Sequence, residues 1–139
     1  MAAREVFADT PGLYAVDRRD FHHAAAAAWA GDLSGAGRTL VTTDYIVAET
    51  LNLAVARRGR FVADRALDLF ERSRGIRVER IGAERFETAK AFFRRHADHD
   101  YSFTDCTSFV VMRELKIVDA LTTDGHFAEA GFRPLLPVV

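Results

Sequence analysis

A chain of 139 residues that is 49% hydrophobic and 28% charged fits one globular domain with an ordinary core, and no linker, low-complexity tract or internal repeat divides residues 1–139. Its single cysteine, Cys106, excludes an internal disulfide and leaves a cysteine-based zinc site short of ligands. No apolar run is long enough to span a membrane, and no basic segment with an apolar signal core precedes the first strand. The expectation is therefore a cytoplasmic protein with no membrane contact.

The elements alternate along the chain. Residues 5–8 read as a first strand that ends at Asp9-Thr10-Pro11, where proline suits a first helical turn. The alanine run Ala24 to Ala28 reads as a surface helix. The β-branched stretch 39–43 predicts a second strand, followed by a helix over 44–57 that stops at Gly59. A helix over 61–74, with Val62, Ala66, Leu69 and Phe70 inward, ends at Gly75, and a third strand follows at 77–81. Helices over 84–96, with Phe86, Ala89 and Phe93 inward, and over 104–115, with Phe109, Met112 and Leu115, lead to strands at 119–123 and 133–138. Strands alternating with helices predict an α/β fold whose parallel sheet is covered on both faces. A reversal of strand order would set the first and fourth strands side by side.

Four acids sit where a strand hands over to a helix. Asp9 ends the first strand, Glu49 projects from the early turns of the helix after the second, Asp105 opens the helix before the fourth, and Asp124 closes the fourth. Each has a plain alternative. Asp9 and Asp124 suit helix N-caps, and Ser102-x-x-Asp105 has the form of a capping box. Glu49 resists that reading, because Ile46, Glu49 and Leu53 share a helical face, and a carboxylate buried there needs a partner or a metal. Open α/β sheets bind ligands outside the carboxyl ends of their strands, where all four acids would meet.

The other polar groups say less. The formal net charge is −1, and setting aside the four candidate ligands leaves the remainder at +3, with 17 arginines against 2 lysines. Arginine suits bidentate phosphate contacts and stacking on unpaired bases, so Arg18-Arg19, Arg57-Arg58 with Arg60, and Arg94-Arg95 are candidate phosphate contacts, Arg57, Arg58, Arg94 and Arg95 being the ones offered for binding a nucleic acid. Solvated surface is the competing reading for each. His22-His23 and His96/His99 match no zinc spacing and read as ordinary surface. Cys106, beside Asp105, reads as a small core residue rather than a thiolate.

Four blocks carry a resemblance: Phe7-Ala8-Asp9-Thr10, the run Val41 to Leu51 around Glu49, Ser102-Phe103-Thr104-Asp105-Cys106-Thr107-Ser108-Phe109, and Ala120-Leu121-Thr122-Thr123-Asp124-Gly125-His126-Phe127. Together they resemble the PIN domain nucleases, in particular the VapC-type ribonuclease toxins of toxin–antitoxin pairs. The resemblance implies a single three-layer α/β/α domain with a central, mainly parallel sheet of about five strands. It makes Asp9, Glu49, Asp105 and Asp124 the catalytic, metal-binding quartet for Mg²⁺ or Mn²⁺, with Thr10 and Ser102 as supporting hydroxyls. It implies cleavage of single-stranded or looped RNA to a 5′-phosphate and a 3′-hydroxyl, a cognate antitoxin and a homodimer. Pro11 stands where a small hydroxyl residue is common in the family.

Hard oxygen ligands suit Mg²⁺ independently of the resemblance, and metal-activated water needs no side-chain nucleophile. A haloacid-dehalogenase-like phosphatase would want an acid at position 11, which is proline, and a receiver domain would want a lysine at the end of its last strand, which offers only Arg133. The alternatives that stay open are a non-catalytic PIN-fold module that binds RNA or protein, a housekeeping PIN nuclease without an antitoxin, and a DNA-directed nuclease of the same fold. Phe61, Leu67 and Phe70 are the apolar helical residues offered for a dimer or antitoxin face.

Overall fold

Val6, Phe7 and Ala8 are all fully buried, although neighbouring side chains on a strand point to opposite faces. A strand sealed on both sides belongs in the middle of a parallel sheet. The structure, a computed structural model describing residues 5–10 and 37–138, places it there. Strands β1 (Glu5–Ala8), β2 (Thr39–Thr43), β3 (Ile76–Glu79), β4 (Asp119–Leu121) and β5 (Arg133–Pro134) form one sheet in the order β3-β2-β1-β4-β5. Every pairing is parallel, with Phe7 opposite Val41 on one side and Ala120 on the other. Strand order reverses at β1, so β1 and β4 are neighbours as the sequence predicts.

The helices are α1 (Asp44–Arg58), α2 (Arg60–Arg72), α3 (Gly82–Arg95), α4 (Phe103–Leu115) and α5 (Gly125–Glu129). The main core lies on one face of the sheet, where Phe7, Val41 and Ala120 meet Ile46 of α1, Ala89 and Phe92 of α3, Phe109 and Met112 of α4, and Phe127 of α5. Val6 and Leu121 point to the other face and cluster with Leu136, beside Leu40 and Leu135. The hydroxyl of Thr42 donates to the carbonyl of Ala8 at 2.8 Å and ties β2 to the end of β1. Asp9 N–H donates to the carbonyl of Leu121 at 3.3 Å and ties β1 to β4 just where both strands end.

Three helix starts have a side-chain cap. Thr43 caps α1 by accepting from Ile46 N–H. Ser102 and Asp105 form the capping box of α4, and Asp124 caps α5. Gly59, with φ of 92°, turns the chain between α1 and α2. Strand limits are shorter than the sequence predicts: β3 is 76–79, β4 ends at Leu121 and β5 spans 133–134.

Several inward faces differ from expectation. On α2 the buried residues are Ala63 and Phe70, and Leu69 is exposed; on α3 they are Ala89 and Phe92, and Phe86 and Phe93 are exposed. Burial of Phe70 removes it from the proposed partner face, whereas Phe61 and Leu67 remain exposed. The cause is register. A helical apolar pattern allows neighbouring stripes, and contact with the sheet selects one of them. Cys106 is buried, and burial with the adjacent Asp105 charge pushes its thiol up to about 11, as a core residue should show. The Ala24–Ala28 run, Pro11, Arg18-Arg19 and His22-His23 lie outside the described residues.

Candidate metal centre

The ends of β1 and β4 deliver the first two acids side by side. Asp9 follows β1 and is only 5% exposed, and Asp124 follows the tail of β4. Thr122 joins them: its hydroxyl donates to Asp9 Oδ2 at 2.8 Å and accepts from Asp124 N–H at 3.0 Å. Asp105 arrives from α4. Its backbone N–H donates to Ser102 Oγ at 3.0 Å, and its Oδ2 accepts Ser102 N–H at 3.1 Å. Capping and convergence are thus compatible, since a cap occupies one carboxylate oxygen and leaves the second for another partner.

His126 enters the same site from the first turn of α5. Its Nδ1 lies 3.0 Å from Asp105 Oδ2 and 3.4 Å from Asp124 Oδ1, and its backbone N–H donates to Asp124 Oδ1 at 2.9 Å. Ligand atoms from Asp105, Asp124 and His126 all fall within 4.8 Å of one another. In the sequence His126 stands out only as part of the Ala120 to Phe127 block. The signal available was its spacing, two residues after a strand-ending acid, which returns the ring toward that acid once Asp124 caps the helix.

The electrostatics are those of acids gathered without full neutralisation. Burial pushes the Asp9 carboxyl up to about 7 against the hydrogen bonds from Thr122 and the Thr10 backbone, and the charges of Asp105 and Asp124 add to the rise. Asp105 is raised too, by burial and then by Asp124, while Ser102 and His126 pull the other way. Burial opposes the charge on His126, but the bond to Asp105 and the charges of Asp124, Asp105 and Glu129 hold its pKa above the usual value.

Glu49 departs from expectation. It is exposed on α1, whose buried face is Ile46, Thr50 and Ala54 at four-residue spacing. The predicted face of Ile46, Glu49 and Leu53 is rotated from the true one, because Thr50, not Glu49, turns inward. Glu49 and Asp9 both lie outside the group of ligand atoms described above, and Asp9 is tied to it through Thr122. Ser102 makes two hydrogen bonds with Asp105. Thr10 is buried beside Asp9, and its hydroxyl has no partner among the described residues. Of the arginines, Arg57 is exposed, Arg58 is partly buried at the end of α1, and Arg94 and Arg95 are exposed in the last turn of α3.

The donor set fits a hard divalent cation. Asp105 and Asp124 offer carboxylate oxygens within 4.8 Å of one another, Asp9 feels the charge of both, and Thr10, next to Asp9 in the chain, has a buried hydroxyl with no partner among the described residues, so a hydrated ion held there would meet oxygen donors. His126 adds one nitrogen.

An open parallel sheet with acids at its strand-order reversal defines a class, and the family model of the PIN domain matches residues 7–133. The chain belongs to the PIN domain family. It is 37% identical over 98 residues to "23S rRNA-specific endonuclease VapC20" of Mycobacterium tuberculosis (strain CDC 1551 / Oshkosh), over 70% of this chain and 74% of that protein, and equally to the VapC20 of strain ATCC 25618 / H37Rv. The crystal structure of M. tuberculosis VapC20, described as a sarcin-ricin loop cleaving toxin, superposes with a TM-score of 0.82 at 32% identity, covering 95% of this chain and 99% of that one. The chain is a PIN domain nuclease of the VapC type.

Proposed function

We propose that this protein is a Mg²⁺- or Mn²⁺-dependent endoribonuclease acting on single-stranded or looped RNA, and the toxin of a toxin–antitoxin pair. The observation that carries the catalytic reading is the meeting of Asp9, Asp105 and Asp124 at one sheet edge, buried or half-buried and linked through Thr122 and His126. The whole of 1–139 is read as one PIN domain, and relatives that cut ribosomal RNA support the substrate class. No described helix is long and apolar enough to cross a membrane.

Asp9, Asp105 and Asp124 would hold the metal. When bound, the ion acidifies a water and offsets charge on the reacting phosphate. Thr122 fixes the Asp9 carboxylate relative to the Asp124 backbone, so two ligands from separate strands share one geometry. His126 orients Asp105 from one side while Ser102 holds it from the other. Asp124, with 31% of its side chain exposed, keeps access to solvent, and whichever of Asp124 and Glu49 is not engaged in direct ligation is suited to take the proton of an attacking water. Glu49 enters this reading by family resemblance, as an exposed acid on the helix that leaves β2. An antitoxin and a second copy of the chain are the expected partners, with Phe61 and Leu67 offering exposed apolar surface.

The test is cleavage of an unpaired RNA oligonucleotide by purified protein. Cleavage with Mn²⁺ or Mg²⁺ that stops in EDTA is expected. Undiminished cutting in EDTA would overturn the metal reading, and metal-dependent binding without cutting would favour the non-catalytic module.

A further inference from the structure

A cavity of about 560 Å³ opens between the end of α3 and the segment leading into α4, lined by Phe93, Arg94, His96, His99, Asp100 and Tyr101. Its size lies in the range of roughly 300–1,000 Å³ that holds small organic ligands. Two of its rings are stacked on neighbours. His96 stacks on Phe92 with centroids 4.0 Å apart, and His99 stacks on Tyr101 at 4.6 Å with planes only 5° from parallel. Tyr101 is 6% exposed and cannot swing away. Flat groups already held by a neighbour lose little freedom when a further ring lies against them.

The cavity adjoins the carboxylates. The ring of Tyr101 meets His126 edge-on at 5.5 Å, and His126 bonds Asp105. Ser102, the next residue, holds Asp105 through the capping box. The rim offers a guanidinium at Arg94, ring nitrogens at His96 and His99 and a carboxylate at Asp100, a mixture of donors and acceptors that matches the edge of a base.

We propose that this cavity receives one unpaired base of the RNA substrate, stacked against the His99–Tyr101 pair, and so selects which nucleotide lies beside the carboxylates. The proposal rests on the ribonuclease reading, and its test separates the two. Short single-stranded RNAs carrying 2-aminopurine at successive positions are titrated with protein in EDTA, where metal-dependent cutting is absent, and fluorescence reports stacking. Quenching at one position is expected, lost in both His99→Ala and Arg94→Ala. An abasic site at that position should weaken binding by wild type about tenfold and add little to the loss in His99→Ala. Arg94 is exposed, so its variant stays informative if the His99 variant folds poorly. Equal quenching at all positions, or quenching unchanged in both variants, overturns the base pocket. Parallel cleavage assays in Mn²⁺ keep the readings apart: cutting without selective quenching sinks the pocket alone, selective quenching without cutting sinks the nuclease alone, and no RNA binding by wild type sinks both.

Discussion

Two buried aspartates stand at opposite ends of the β1–β4 pair, and their surroundings differ in one respect. Asp119 opens β4 and is met by arginines: Arg133 donates at 2.7 and 2.9 Å and Arg38 at 3.0 Å. Burial pushes Asp119 up, but those arginines outweigh it and hold the carboxyl below its ordinary range. Asp9, past the end of β1, has Thr122 and a backbone amide as donors, and its carboxyl stands at about 7. An acid neutralised by two cations is a structural joint. One left to neutral donors next to two further acids is poised for a cation that arrives from outside.

The comparison breaks first on substitution. Asp105→Asn and Asp9→Asn should lower metal-dependent RNA cleavage by about a hundredfold or more, while the fold persists, since each removes a ligand charge at nearly constant shape. In EDTA the Asp105→Asn protein should melt above wild type, because one repulsive charge has gone, and its rise on adding Mn²⁺ should shrink. Asp119→Asn should do the reverse: it costs about 1 kcal/mol of stability, chiefly by removing the charge that meets part-buried Arg38, yet keeps the full metal-induced rise. Melts of the three proteins with and without Mn²⁺ check this, and an Asp105 variant that gains as much from metal as wild type would show Asp105 to be a cap alone.

A pH series sharpens the contrast at smaller amplitude. Asp9 has its folded pKa raised, so between about pH 4 and pH 7 the folded chain keeps a proton that the unfolded chain has released. Metal-free stability should therefore fall as pH rises through that window, and Asp9→Asn should flatten the fall. Asp119 has its folded pKa lowered, so its contribution is present above the ordinary carboxylate range and is lost as pH falls through the folded value. Asp119→Asn should flatten the acid limb. Thermal melts in EDTA from pH 3 to 8 read both slopes, and parallel profiles for wild type and Asp9→Asn would show that Asp9 is not held protonated.

Glu49→Gln is expected to have the smallest effect. The side chain is exposed, so stability should stay within about 0.5 kcal/mol of wild type. Cleavage should fall less than in Asp9→Asn or Asp105→Asn. A loss equal to theirs, in single-turnover cleavage at saturating Mn²⁺, would return Glu49 to the centre of the site as an equal ligand.

The sequence by itself determined what depends on neighbours along the chain. The β-branched run at 39–43, the capping box at Ser102 and Asp105 and the cap at Asp124 each rest on contacts within a few residues, and each forms where it is predicted. Convergence of Asp9, Asp105 and Asp124 followed from topology, since parallel strands with crossover helices bring their carboxyl ends to one edge. Only the tertiary structure decided which acids are neutralised. Asp119 takes Arg38 from 81 residues away and Asp9 takes Thr122 from 113 away, and no local pattern encodes either pairing. The same holds for Glu49, where helical spacing permits two faces and packing against the sheet chose the one carrying Thr50. It holds for His126, whose ring reaches Asp105 because α5 docks beside α4. A residue's local conformation is set by covalent neighbours, but the charge that meets it is set by whichever distant segment the core brings alongside.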